Sequence, residues 1–117
     1  MPSTTSYKQG DVVLVPFPFT DLSSTKQRPA VIVSADALNS VRDDVLVAAI
    51  TSQIPVALAS DEFLIPAEHL ATCGLPKKSM IRVSKLVALH QRLIIRRIGA
   101  MPPTVLQEVI TRLRQMF

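Results

Sequence analysis

The chain has 117 residues, of which 48% are hydrophobic and 19% charged, and its net charge is +4. This length suits one domain, because two cores would leave each half too small to bury enough apolar surface, and the composition excludes a disordered chain. A single cysteine excludes an internal disulfide, and no apolar run reaches the roughly 18 residues that cross a bilayer. We therefore expect a cytoplasmic protein without a membrane segment.

The charges are divided unevenly along the chain. Residues 1–76 carry four basic and eight acidic side chains, whereas residues 77–117 carry nine basic and one acidic. A basic segment attracts polyanions or acidic protein segments, although a solvated basic surface without a partner explains the same composition. The second half of the chain is thus a candidate for binding nucleic acid or an acidic protein.

Short β-branched runs, each bounded by glycine, proline or polar turn residues, predict a mainly β fold. In chain order these runs cover residues 11–15, 29–34, 44–50 and 61–65, and two or three further strands fit within residues 79–97. Many short strands separated by turn signals favour a barrel or a sandwich.

The connection between the first two predicted strands, residues 16–28, is unusually long. An ordinary hairpin needs roughly two to five residues. Long ordered loops tend to be functional, so this segment is a candidate part of a site.

A helix is predicted at the C-terminus, where the hydrophobic period becomes helical from residue 102 onward. Four apolar residues recur at helical spacing and are expected to form one face packed on the sheet: Leu106, Ile110, Leu113 and Phe117. The helix begins either with a capping box of Thr104 and Gln107 or with Pro103 at its first position.

Common signatures of catalytic sites are missing from the sequence. His69 and His90 have no neighbouring ligand at metal-binding spacing, so each is interpreted as a structural or surface residue. Cys73 lies in a turn without an obvious base, no Gly-x-Ser-x-Gly motif occurs, and three glycines provide no phosphate loop. The sequence therefore predicts neither a metal site nor a cofactor.

One pair of polar residues is brought together if neighbouring strands pair. Arg28 precedes the second predicted strand and Thr51 follows the third, so antiparallel pairing makes them neighbours at one rim of a barrel. A guanidinium holds phosphate bidentately and stabilises a pentacoordinate transition state, while a hydroxyl orients a phosphate oxygen. On the residues alone, a surface arginine and a strand-ending threonine remain the simpler interpretation.

Three motifs, in order, resemble the signatures of the MazF/PemK toxin family. They are GDVVLVPFPFTDL at residues 10–22, KQRPAVIVS at 26–34 and AITSQ at 49–53. SMIRVSKL at 79–86 and the Ile98-Gly99 lead into the helix extend the resemblance over nearly the whole chain. The resemblance implies an SH3-like barrel with a C-terminal helix, which forms a homodimer.

The same resemblance implies a function. The implied function is that of an endoribonuclease toxin. Such a toxin cuts single-stranded RNA without a metal or cofactor and leaves a 2′,3′-cyclic phosphate and a 5′-hydroxyl. It also implies a cognate antitoxin protein whose acidic, partly disordered tail occupies the RNA groove.

The resemblance assigns roles to individual residues. The family's catalytic arginine, in its Arg-Pro-Ala motif, falls on Arg28, and its catalytic threonine falls on Thr51. RNA contacts are expected from residues near these two and from the basic second half: Phe17, Phe19, Thr20, Lys26, Gln27, Ser52, Gln53, Lys77, Lys78 and Arg82. Lys85 belongs to the same basic group, and Asp21 is a candidate for an additional acidic helper.

Two other functions fit the sequence. A toxin on the same barrel that poisons DNA gyrase has no need of Arg28 beside Thr51 and depends on its C-terminal helix. A non-catalytic SH3-like module that binds RNA or peptide through Phe17 and Phe19 predicts salt-sensitive binding without cleavage.

Overall fold

An open antiparallel sheet and a C-terminal helix form the fold in the computed structural model, which describes residues 6–17 and 26–117. The strands are β1 (Asp11–Phe17), β2 (Lys26–Ile32), β3 (Asp44–Thr51), β4 (Glu62–Leu64), β5 (Met80–His90) and β6 (Arg96–Ala100). The helices are α1 (Asp36–Asn39), between β2 and β3, and α2 (Pro103–Gln115).

The six strands lie in the order β4-β5-β3-β2-β1-β6, and every neighbouring pair is antiparallel. This confirms the predicted mainly β fold with a C-terminal helix. Within the described residues, β4 and β6 form the two edges of the sheet, so hydrogen bonding does not close the expected barrel.

The first two strands extend into the segment that the sequence predicted as a loop. β1 continues through Pro16 to Phe17, which lies opposite Lys26, so the connection is residues 18–25 and lies outside the described residues. β6 pairs with β1 only as far as Leu14. Because β1 has a neighbour on one side only beyond that point, a proline without an N–H is tolerated there.

Each face of the sheet carries a hydrophobic cluster, and alternate strand residues supply the two clusters. Val12 and Val31 belong to the cluster that α2 covers, whereas their neighbours Val13 and Ala30 belong to the other. All four are fully buried. This alternation fixes the register, because a slip of one residue would turn buried side chains to the wrong face.

Helix α2 begins at Pro103, with Pro102 as its N-cap and no side-chain cap, so the proline start is correct and the capping box is not formed. Pro103 needs no partner for a backbone N–H at this position. No helix in the described residues is long and apolar enough to span a membrane.

The buried face of α2 is rotated from the predicted one. Val105 and Val109 are its buried residues, while Leu106 and Leu113 pack partly against the core. Phe117 lies beyond the helix end and is 94% exposed, so its predicted burial was wrong. Val105 and Val109, each one position before Leu106 and Ile110, have the same helical spacing as the predicted apolar face. Only packing on the sheet shows which of the two sets of residues is buried.

Candidate functional site

A pocket of about 630 Å³ opens where β2 begins and β3 ends. Residues from β2, β3, β4 and β5 and from the segment after β3 line it: Arg28, Ala49, Ile50, Thr51, Gln53, Ile54, Pro55, Glu62, Met80, Arg82 and Lys85. The described lining thus combines three cations and one carboxylate with an apolar wall.

The pairing of β2 with β3 explains why Arg28 and Thr51 share this pocket. The pairing of the two strands ends with Ala30 opposite Ala49, and Arg28 and Thr51 are each two residues beyond that pair, on the same face of the sheet. Both residues line the same pocket at this end of the sheet.

Thr51 is held by the turn that follows it. Its Oγ1 accepts a hydrogen bond of 3.1 Å from the backbone N–H of Gln53. A hydroxyl that accepts such a bond still carries a proton that it can donate to a phosphate oxygen. The local turn therefore fixes the oxygen of Thr51 at the mouth of the pocket.

The neighbouring row of the sheet supplies a charged pair. β5 places Arg82 opposite Ala49, and β4 places Glu62 opposite Arg82. Because Ala49 and Thr51 are two residues apart on one strand, this row lies on the same face as Thr51 and Arg28. Arg82 Nε lies 3.6 Å from Glu62 Oε2.

The electrostatics of the pocket favour an anion. Arg28 is partly buried, and its Nε is fully so. Lys85 also lines the pocket, and it lies in the segment of β5 where the pairing with β3 shifts register. With Arg82 these cations outnumber the carboxylate of Glu62, and a partly enclosed cationic pocket attracts phosphate groups.

Only some of the other predicted RNA contacts line this pocket. Gln53 and Arg82 do, whereas Ser52, between two lining residues, is exposed and outside it. Lys26 and Gln27 are exposed at the start of β2 and also lie outside the lining.

Lys77 and Lys78 are exposed in the segment before β5. β5 begins at Met80, opposite Thr51, so the two lysines are at the same end of the sheet as the pocket but are not part of its lining. Phe17 is the last residue of β1. Phe19, Thr20 and Asp21 lie outside the described residues.

Glu62 was not predicted from the sequence, although it is 7% exposed and the one acidic residue among the described lining residues. A signal was present, because a carboxylate directly before the apolar run Phe63 to Ile65 is costly to bury unless it is paired. The apolar wall of Ile54, Pro55 and Met80 was not predicted either.

The remaining titratable candidates lie outside the pocket. Cys73 is buried in the core, and burial raises the pKa of its thiol. His90 ends β5, and its Nδ1 accepts a hydrogen bond of 3.0 Å from the backbone N–H of Arg92. Over residues 6–17 and 26–117, no group of three or more His, Cys, Asp or Glu is placed to hold a metal ion.

Similarity to known proteins extends over most of the chain. The sequence profile of PemK-like, MazF-like toxins of type II toxin–antitoxin systems matches residues 8–117. The chain is 30% identical over 92 residues to endoribonuclease MazF6 from Mycobacterium tuberculosis, and the alignment covers 78% of each chain.

Solved structures share the fold. The crystal structure of MazF from Deinococcus radiodurans has a TM-score of 0.75 at 23% identity, and the match covers 97% of both chains. A mycobacterial endoribonuclease in complex with its cognate antitoxin has a TM-score of 0.74 at 17% identity, over 94% of this chain and 93% of that chain.

Proposed function

The chain belongs to the family of PemK-like, MazF-like toxins of type II toxin–antitoxin systems, and we propose that it is an endoribonuclease that cuts single-stranded RNA in the pocket of Arg28 and Thr51. Its family membership confirms the assignment made from the sequence motifs. The observation that supports the proposal is that Arg28 and Thr51 line one open, cationic pocket.

RNA supplies its own nucleophile, the ribose 2′-hydroxyl, so the protein has to position the strand and stabilise charge. The 2′-oxygen forms a bond to phosphorus while the bond to the 5′-oxygen breaks, and overall the 2′ proton passes to the departing oxygen. The products are a 2′,3′-cyclic phosphate and a 5′-hydroxyl.

Arg28 provides the charge for this reaction. Its planar guanidinium binds two non-bridging oxygens at once and stabilises the additional negative charge of the pentacoordinate phosphorus. A guanidinium releases its proton only at high cost, so the role of Arg28 is electrostatic. The hydroxyl of Thr51 donates a hydrogen bond to the same phosphate and so fixes the orientation of that phosphate.

The partner of the protein is a cognate antitoxin, as in the complexes of its structural relatives. A cationic pocket that binds RNA phosphates also attracts carboxylates, so an acidic antitoxin segment would block it by occupying the same place. The active form is a homodimer, and its site of action is the cytoplasm, where messenger RNA is available.

The test is to incubate the purified protein with a long single-stranded RNA in EDTA and to sequence the fragment ends. We expect fragments with 5′-hydroxyl ends at a short recurring sequence. Intact RNA together with trapped gyrase–DNA complexes would instead assign the protein to the gyrase-directed toxins. Salt-sensitive RNA binding without fragments would assign it to the non-catalytic modules.

A further inference from the structure

We propose that Glu62 is a positioning residue of this site, because its carboxylate holds the guanidinium of Arg82 against the pocket where Arg28 and Thr51 bind phosphate. The inference rests on the proposed ribonuclease function and adds a residue to it. It concerns an ion pair in the lining of the pocket, Arg82 Nε to Glu62 Oε2, which no sequence motif had indicated.

Glu62 is itself firmly held. Its Oε1 accepts a hydrogen bond of 2.8 Å from the backbone N–H of Ala59, and its own N–H donates to the Ala59 carbonyl at 3.0 Å. Its carbonyl accepts from Arg112 Nη1 of α2 at 3.3 Å. A carboxylate fixed at both the side chain and the backbone is a rigid anchor for a flexible partner.

Arg82 is such a partner. Its side chain is 50% exposed, whereas that of Glu62 is 8% exposed. An arginine of this exposure samples many rotamers unless an interaction restricts it, and that freedom is lost each time it must bind a ligand. The ion pair with Glu62 imposes this restriction before RNA arrives.

The small side chain of Ala49 leaves the space beside Arg82 open. Ala49 lies between Arg82 and Ala30 in one row of the sheet, and Thr51 and Arg28 occupy the next row. Both alanines end at Cβ, so no long side chain in this row separates Arg82 from the part of the pocket that Thr51 and Arg28 line. A second guanidinium is thereby available to the same or an adjacent phosphate.

A carboxylate in an RNA pocket has two opposing effects. It repels phosphate, so its removal strengthens RNA binding, and it holds Arg82, so its removal slows the reaction. A purely electrostatic role of Glu62 predicts a change in RNA binding alone, whereas a purely structural role predicts a loss of the fold. A positioning role lowers kcat while KM stays unchanged or falls and the fold remains intact, and unlike a direct role of the carboxylate in the reaction it depends on Arg82.

The variant Glu62→Gln tests this inference, because it keeps the size of the side chain and an acceptor for the Ala59 N–H but removes the charge. We expect kcat for RNA cleavage to fall about tenfold or more, as for a misplaced reactive group, with KM equal to or below that of the wild type. The thermal melting curve should remain cooperative. Asp61→Asn, a neighbouring carboxylate outside the pocket lining, is the matched control and should retain wild-type kcat.

A double-mutant cycle with Arg82→Gln shows whether Glu62 acts through Arg82. In the Arg82→Gln background, we expect Glu62→Gln to have no further effect on kcat. An equal loss of kcat in both backgrounds, or wild-type kcat in Glu62→Gln alone, overturns the positioning role while leaving the ribonuclease function intact. A wild-type protein that does not cut RNA overturns both.

If Glu62→Gln does not fold, side-chain NMR of the wild-type protein shows whether the Arg82 side chain is held in place. The Nε–H signal of Arg82, identified by its loss in Arg82→Gln, should show heteronuclear relaxation as rigid as that of the strand backbone. Relaxation typical of a freely rotating arginine would overturn the proposal.

Discussion

Arg28 on β2 and Thr51 on β3 line one pocket, although the chain passes through α1 between them. Their meeting depends on the register of the two strands, and a slip of one residue would turn one of the two side chains to the opposite face. Ala30 and Val47, fully buried in the same cluster, hold this register. The hydrophobic core thus positions the two residues of the proposed site.

Arg28→Ala should leave a folded protein that cuts RNA about a hundredfold more slowly or worse, as after loss of a transition-state donor. Arg28→Lys should retain only part of the activity, because an ammonium lacks the planar fork. Initial rates on a short single-stranded RNA in EDTA measure this. Arg114→Ala removes an exposed arginine of α2 outside the pocket and serves as control. Near-normal cleavage by Arg28→Ala would remove the proposed mechanism.

Thr51→Val should reduce cleavage by at least about tenfold, because the shape is kept and the hydroxyl donor is lost. Thr51→Ser should keep most of the rate, since it keeps the hydroxyl. Single-turnover kinetics with saturating protein separates this effect from weaker binding. Thr111→Val on the exposed surface of α2 is the control. If Thr51→Val and Thr51→Ser were equally active, the hydroxyl would have no part in the reaction.

Gly99→Ala should destabilise the fold by roughly 2 kcal/mol or more, as for a forced overlap in a packed interior. A Cβ at Gly99 would stand 2.3 Å from the carbonyl carbon of Cys73 and 2.6 Å from the carbonyl oxygen of Thr72. Both are backbone atoms, so β6 must move away from the adjacent segment. Urea unfolding followed by circular dichroism measures the change, and an unaltered midpoint would show that this contact yields without cost.

Arg112→Met should lower the free energy of unfolding by about 1 kcal/mol, because the carbonyls of Ser60 and Glu62 lose their donor. Arg112 donates from Nη1 to the carbonyl of Ser60 at 2.8 Å and lies 5.3 Å from the ring centroid of Phe63. Methionine keeps most of the apolar stem and removes the guanidinium. Arg114→Met, on the exposed side of α2, should unfold like the wild type in the same urea titration. Equal stabilities of the two variants would contradict the role of Arg112 in fixing β4.

Local sequence predicted the strands well and their ends less well. The runs of β-branched residues marked β1 to β4 because such side chains suit a pleated, half-buried surface. Pro16 and Pro29 were interpreted as limits of strands, yet both lie within them. Pro16 lies beyond the pairing of β1 with β6, and Pro29 lies beyond the pairing of β2 with β3, so each meets one partner strand only. These boundaries depend on how far each pair of strands remains hydrogen-bonded, and local sequence carries no information about that.

The sequence by itself determined the mainly β fold, the C-terminal helix and the meeting of Arg28 with Thr51, because these follow from local periodicity and from one antiparallel pairing of consecutive strands. Only the tertiary structure decided that β5 lies between β3 and β4. That order brings Arg82 and Glu62 beside the predicted pair, and pairing between strands far apart in the chain depends on how both faces of the sheet are buried. The part of the pocket that Arg82 and Glu62 line was therefore set by the packing of the whole sheet.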